Sequence, residues 1–198
     1  MPTPTDSRPR GRPRGAGIDD AVLDAAWELL EHAHVRDLTI EAVAQRAGVS
    51  KPTIYRRWPN KTALAVDAVL REVRDDVRYT GYGPTAEVLT SQIARVISFM
   101  RRRPGRVMAE LLAEAQSDPD TLAAISERYL GPRRAEARAL VERGKERGEI
   151  AADVDPDLAI DLIYGPLYYR LVTRHLPLTK ALAGQLVQQA LRGLAPAA

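Results

Sequence analysis

Apolar residues recur at the three- and four-residue spacing of an α-helix along almost the whole chain, and this pattern constrains the fold more than any other feature. One such stripe runs through residues 18–33 and another through residues 89–100. No segment shows the two-residue alternation of a half-buried strand. Proline and glycine separate the helical segments. The pattern therefore predicts an all-α fold, with a small N-terminal bundle followed by a larger one.

Two short helices near residue 50 are predicted from their end signals. Thr39 is expected to cap a helix that stops at Gly48, where glycine permits a left-handed end. Ser50 is expected to cap the next helix, with Pro52 in its first turn, where a missing N–H costs nothing. Two helices joined by so tight a turn form a helix-turn-helix, in which the second helix lies in a DNA major groove.

The larger half is predicted from the same signals. Asn60 is expected to cap a long helix over residues 61–78, and YTGYGP at 79–84 is the best candidate for a linker. RRRPG is expected to close the helix that ends near residue 100. Further helices are expected at about 106–116, 119–129, 132–147, 156–175 and 179–194.

Composition excludes several classes of function. The 198 residues include no cysteine, which rules out disulfide frameworks, thiolate zinc sites and cysteine nucleophiles. We expect no metal site, since His32 and His34 do not share a helix face, and no cofactor. No catalytic set stands out, so we expect no enzyme. Without a long apolar run or a secretory signal, the sequence favours the cytoplasm and no membrane partner.

The first 17 residues are strongly basic. They carry four arginines against one aspartate, interleaved with proline and glycine, so we expect a disordered arm. Such an arm is either a solvated tail or one that follows a nucleic-acid backbone or enters a minor groove. With a helix-turn-helix behind it, Arg10, Arg12 and Arg14 are expected to contact DNA.

The segment LTIEAVAQRAGVSKPTIYRRWPNKTALAVDAV at 38–69 resembles the TetR family of transcriptional repressors. The resemblance is specific over residues 18–66, and it departs from the family at Arg57-Trp58, where His-Phe or a similar pair is usual. It implies a three-helix DNA-binding domain over 18–64 and an effector-binding and dimerisation domain over 65–198. The implied function is a homodimeric repressor that a small molecule releases from a palindromic operator.

Residue types in this segment indicate their roles. Lys51 could donate to guanine, and the methyl group of Thr53 could pack on thymine. Tyr55 and Lys61 resemble the family's residues that position the DNA backbone, and Arg57 replaces a histidine that often contacts phosphate. The full set of expected DNA contacts in the domain is Thr39, Ser50, Lys51, Pro52, Thr53, Tyr55, Arg56, Arg57 and Lys61. Trp58 is expected to pack in the core.

The resemblance also implies two sites in the larger half. Apolar stripes on the last two helices are expected to form the dimer interface, through Ile160, Ile163, Leu167, Leu171, Leu182, Leu186, Ala190 and Leu194. The effector pocket is expected to include Phe99, Met100, Met108, Leu112, Gln116, Tyr164, Tyr168 and His175. Two alternatives stay open: a transcriptional activator, and an α-helical interaction or ligand-sequestering protein that does not bind DNA.

Overall fold

The computed structural model describes residues 16–79 and 82–195, which form helices and turns without a strand. The prediction of an all-α fold is confirmed. The N-terminal part contains α1 (Ala16–His32), a 3₁₀ turn (Val35–Asp37), α2 (Ile40–Ala47), α3 (Lys51–Tyr55) and α4 (Lys61–Glu72). The remainder contains α5 (Arg74–Val77), α6 (Thr85–Met100), α7 (Arg103–Glu114), α8 (Pro119–Ile125), a π turn (Ser126–Leu130), α9 (Gly131–Glu146), α10 (Pro156–Thr173) and α11 (Leu182–Leu194). Arg10, Arg12 and Arg14 lie outside the described residues.

Most of the predicted helix ends near residue 50 are confirmed. The Thr39 hydroxyl accepts a hydrogen bond of 3.2 Å from the amide of Ala42 at the start of α2. Gly48 ends α2 with φ of 66°, a left-handed conformation that glycine adopts without strain. Ser50 occupies the cap position of α3 but makes no capping bond, because its hydroxyl pairs with that of Thr53 at 2.9 Å. The predicted capping bond of Ser50 is therefore wrong.

The predicted break between the helices at about 119–129 and 132–147 is wrong, because the chain stays helical from Pro119 to Glu146. In a regular α-helix the ring of Pro132 would clash with the carbonyl group four residues before it. Here the wider π turn over Ser126–Leu130 precedes the proline and makes room for the ring. The turn also presents two adjacent residues, Arg128 and Tyr129, to different neighbours.

The core runs without a gap from the N-terminal helices into the larger bundle. α4 packs against α1 on one side and against α7, α8 and the π turn on the other. α6, α7, α9, α10 and α11 pack around the second part of the core. No helix within the described ranges is both long enough and apolar enough to cross a membrane.

The face of α10 that we expected to meet a partner lies inside the chain's own core. Ile160, Ile163, Leu167 and Leu171 on α10, and Leu182 and Leu194 on α11, are buried in that core, while Leu186 and Ala190 are half-buried against it. α10 is apolar on two faces, and the inner one packs on the neighbouring helices. The exposed face carries the α10 seam, which we define as Leu158, Leu162, Gly165, Tyr169 and Val172.

Candidate nucleic-acid interface and ligand cavity

α3 presents a compact polar surface to solvent. Ile54 is fully buried and anchors the helix, while Tyr55 is 50% exposed. The outward side also carries Lys51, Pro52 and Arg56, with Thr53 half-buried beside them. Thr39 at the start of α2 is exposed as well. The expected base-reading residues therefore share one accessible surface.

Lys51 is held by Glu41, a residue that no local sequence pattern marks. Its Nζ lies 2.6 Å from Oε1 of Glu41 on α2. This hydrogen bond and ion pair raise the pKa of Lys51 and lower the pKa of Glu41, so both groups are charged at neutral pH. An anion that approaches Lys51 competes with Glu41 for the ammonium group.

The two expected phosphate-binding cations of this region already have partners within the protein. Arg57 is ion-paired with Asp19 of α1, and its side chain is 27% exposed. Nζ of Lys61 donates to the carbonyl of Arg36 at 3.1 Å, and it lies 3.9 Å from a carboxylate oxygen of Glu114 on α7. By contrast, Arg56 is exposed, and its guanidinium group makes no hydrogen bond or ion pair with any residue that the structure describes. Arg56 is thus the more available cation.

A carboxylate on α4 joins the two halves of the molecule. Oδ2 of Asp67 accepts from the indole N–H of Trp58 at 2.8 Å and from Arg128 of the π turn at 2.5 Å. Trp58 is 4% exposed, in agreement with its expected place in the core. We call these three residues the Asp67 cluster. It connects the residues that follow α3 directly to the larger bundle.

A second set of contacts ties α7 to the end of α1. Arg103 donates to the carbonyl of Leu30 at 2.7 Å and to the carbonyl of Ala33, which satisfies carbonyl acceptors at a helix C-terminus. Glu110 accepts from the amide of Val35 at 2.8 Å and contacts His34 at 3.0 Å. Arg103, which was expected at the end of the preceding helix, instead begins α7.

A cavity of about 550 Å³ lies among α6, α7, the π turn, α9 and α10. Four expected residues line it, namely Leu112, Gln116, Tyr164 and Tyr168. The other four do not: Phe99 and Met108 are fully buried in the core, Met100 lines a separate smaller cleft, and His175 is exposed beyond the end of α10. Helical spacing predicts which residues of α6 and α7 point inward. It does not predict which of them reach the cavity, because the packed core covers part of that inward face.

The cavity contains two pairs of tyrosines joined through their hydroxyl groups. Tyr129 and Tyr168 are 2.8 Å apart, oxygen to oxygen, and Tyr79 bonds Tyr164 in the same way. Burial raises the pKa of Tyr79 to about 12 and raises the pKa values of the other three phenols. All four hydroxyls are therefore protonated at neutral pH. Sequence spacing did not identify Tyr79 or Tyr129.

The charged groups of the cavity are paired. Arg134 contacts Asp161 at 2.6 Å and Asp157 at 2.9 Å. Arg133 donates to the carbonyl of Val77 at 2.9 Å and lies 3.4 Å from Glu136. No cluster of three or more potential metal ligands occurs within residues 16–79 and 82–195.

Comparisons with known proteins agree with this geometry. Residues 22–68 match the family model described as bacterial regulatory proteins of the tetR family, and residues 81–190 match a tetracyclin repressor-like C-terminal domain. The chain is 34% identical over 185 residues to the HTH-type transcriptional regulator YdeS of Bacillus subtilis, with 93% of each chain covered. It is 31% identical over 185 residues to the DNA-binding transcriptional repressor TetR of Mycobacteroides abscessus, covering 90% of this chain and 94% of that one.

A solved structure gives the same picture in three dimensions. The TetR family transcription regulator SCO0332 superposes with a TM-score of 0.79 at 35% identity. The match covers 90% of this chain and 99% of that one. The similarity therefore extends over both the helix-turn-helix and the bundle that holds the cavity.

Replacing Asp67 with alanine should destabilise the protein. The substitution leaves the buried indole N–H of Trp58 and the guanidinium group of Arg128 without their acceptor, and we expect the free energy of unfolding to fall by about 1–3 kcal/mol. Chemical denaturation measures this change. Asp153→Ala removes an exposed aspartate and should leave the unfolding midpoint unchanged. Equal midpoints for the two variants would show that the Asp67 cluster contributes no stability.

Proposed function

Because the chain belongs to the TetR family of bacterial regulatory proteins, we propose that it is a homodimeric, cytoplasmic repressor that a small molecule releases from its operator. The observation that carries this proposal is the direct hydrogen-bonded connection between Trp58, just beyond α3, and the bundle that contains the cavity. A protein that only sequestered a ligand would have no need of such a connection.

DNA contact is assigned to the outward side of α3 and to the start of α2. Lys51 and Thr53 lie in the first turn of α3, where a recognition helix reaches base edges, and Pro52 adds an apolar edge between them. Tyr55 and Arg56 point to solvent further along and suit phosphate contacts. Arg57 and Lys61 are each ion-paired within the protein, and we assign them the role of positioning the DNA backbone.

Dimerisation is assigned to the α10 seam. Leu158, Leu162, Gly165, Tyr169 and Val172 follow one another at alternating four- and three-residue steps, the 3.5-residue repeat of a helix–helix contact. Gly165 has no heavy atom within 4 Å of the position where a side chain would begin, so a partner helix can approach closely there. Two-fold pairing through this seam would set two α3 helices on the two halves of a palindromic operator.

The π turn offers a route from the cavity to the DNA-binding surface. Tyr129 is bonded to Tyr168 in the cavity, and the adjacent Arg128 is bonded to Asp67 on α4. A molecule that displaces Tyr129 therefore acts on α4 through a single peptide unit. To release the operator, such a molecule must bind the DNA-free arrangement of the dimer more tightly than the DNA-bound one.

The substitution Lys51→Ala tests the DNA assignment. The probe is a fluorescent duplex from the region upstream of the protein's own gene, compared with a scrambled duplex at about 150 mM salt, where non-specific binding is weak. We expect the wild type to prefer the upstream duplex and the variant to bind it about tenfold or more weakly, measured by fluorescence anisotropy. Lys180→Ala, which removes an exposed lysine before α11, is the control.

The outcomes separate the alternatives. Equal weakening on both duplexes would make Lys51 a phosphate contact instead of a base-reading residue. Binding to neither duplex, nor to other promoter fragments, would favour a protein that sequesters its ligand without binding DNA. A reporter gene whose expression rises with the protein would favour an activator.

Leu162→Lys tests the dimer assignment. A lysine in the middle of the α10 seam would bury a charge against its own symmetry mate, so we expect the variant to become a monomer that retains its helical circular dichroism. Sedimentation velocity measures the mass. Leu122→Lys is the matched control, because Leu122 is an exposed leucine on α8 outside the seam. A Leu162→Lys dimer as stable as the wild type would exclude this face as the interface.

A further inference from the structure

The tyrosines of the cavity indicate what kind of molecule it holds. Building on the proposed function, we infer that the effector is an uncharged, flat aromatic molecule that carries a carbonyl or ether oxygen and binds between the two tyrosine pairs, Tyr79–Tyr164 and Tyr129–Tyr168. The inference rests on three features of the cavity: its aromatic walls, its spare hydrogen-bond donors and its paired charges.

Aromatic side chains are concentrated at this one place. Five of the seven tyrosines of the chain line the cavity, namely Tyr79, Tyr129, Tyr164, Tyr168 and Tyr169. The chain has a single phenylalanine, Phe99, and it lies in the core away from the cavity. Flat rings bind best against other rings, in offset or edge-to-face contact. A cavity of about 550 Å³ accommodates a molecule of two or three fused rings.

Each tyrosine pair has one proton to spare. A hydroxyl group has one donor and accepts two bonds, so in a bonded pair one O–H is used and the other is left over. Among the described residues, neither Tyr79–Tyr164 nor Tyr129–Tyr168 has a further hydrogen-bond partner. Buried donors are normally satisfied, and a carbonyl or ether oxygen on the ligand would accept these protons. The raised pKa values of the four phenols keep the protons in place at neutral pH.

The charges of the cavity argue against an anionic ligand. The two cations on its wall are Arg133 and Arg134. Arg134 is balanced by Asp161 and Asp157, and Arg133 by the carbonyl of Val77 and by Glu136. A carboxylate could accept the spare hydroxyl protons, but it would gain a counter-charge only by breaking one of these ion pairs, and a buried charge without a counter-charge is costly. Gln92 is engaged by its neighbours as well, since its side-chain nitrogen donates to the carbonyl of Val77 and its side-chain oxygen accepts from Arg95.

Direct binding to the purified full-length protein tests the inference without DNA. The probes are xanthone, which is an uncharged tricyclic aromatic ketone, xanthone-2-carboxylate, which adds a charge to the same rings, and dodecanoate, which is apolar without rings. Isothermal titration calorimetry should give the tightest binding for xanthone, at least about tenfold tighter than for either anion. Equal or tighter binding of xanthone-2-carboxylate or dodecanoate would overturn the inference, as would the failure of xanthone to bind.

The double variant Tyr79→Phe/Tyr164→Phe tests the role of the hydroxyls. It keeps both rings and removes the spare proton of one pair, so we expect about five- to tenfold weaker binding of xanthone, which corresponds to the loss of one hydrogen bond. The control is Tyr82→Phe, because Tyr82 is fully exposed and lies outside the cavity. Unchanged affinity in the double variant would show that the hydroxyls do not bind the ligand.

The release of DNA is measured separately, so that the two proposals can fail independently. If xanthone binds as expected but the operator complex persists at saturating xanthone, the inferred ligand class is correct. The proposal that such a ligand releases the protein from DNA is then wrong. If dodecanoate binds in place of xanthone and dissociates the operator complex, release stands and the aromatic class is wrong.

Discussion

The Asp67 carboxylate is the contact on which the relation between the two halves of this molecule depends. It lies on α4 and accepts hydrogen bonds from Trp58, just beyond α3, and from Arg128 in the larger bundle. Around it, Arg103 and Glu110 hold the end of α1 and the 3₁₀ turn, and the buried hydroxyls of Thr62 and Thr121 meet at 3.1 Å. The helices α1, α2 and α3 alone could not bury a stable core, and these contacts give them a rigid support.

The π turn explains how one helix serves both the cavity and this interface. In a π turn, each hydrogen bond spans five residues, so the turn widens and the side chains that follow are rotated. Arg128 consequently contacts α4 while the adjacent Tyr129 joins the cavity. The same widening admits Pro132 into a continuous helix. Such turns recur at functional sites, and here the turn lies between the two surfaces whose coupling a ligand-released regulator requires.

The cavity and the α10 seam share residues, which bears on how a ligand would affect a dimer. Gly165, Tyr169 and Val172 lie on the exposed seam and also line the cavity. A partner helix on the seam would therefore lie across the cavity's edge. Binding of a ligand and pairing of the subunits are consequently expected to influence each other, as linkage requires for any two events that share a surface.

Local patterns predicted the helix-turn-helix well, because caps and tight turns depend on nearby residues. Thr39, Gly48 and Asn60 have the roles that their residue types indicated. The larger half was harder, because α10 is apolar on two faces and spacing alone does not say which one is buried. Glu41 and Asp67 were missed as well, since their partners lie on other helices and no local pattern marks them.

Hydrogen exchange tests the claim that the bundle holds the recognition helix. The amides of Arg57 and Trp58 both donate to the carbonyl of Ile54 at 2.9 Å, and their protection reports on the end of α3. The measurement compares Arg128→Gln, which weakens the Asp67 cluster from the far side, with Arg138→Gln, which removes an exposed ion pair with Asp157. If the bundle holds α3 in place, these two amides exchange faster in Arg128→Gln alone. Equal protection in the wild type and both variants would contradict it, because α3 would then be held without the larger bundle.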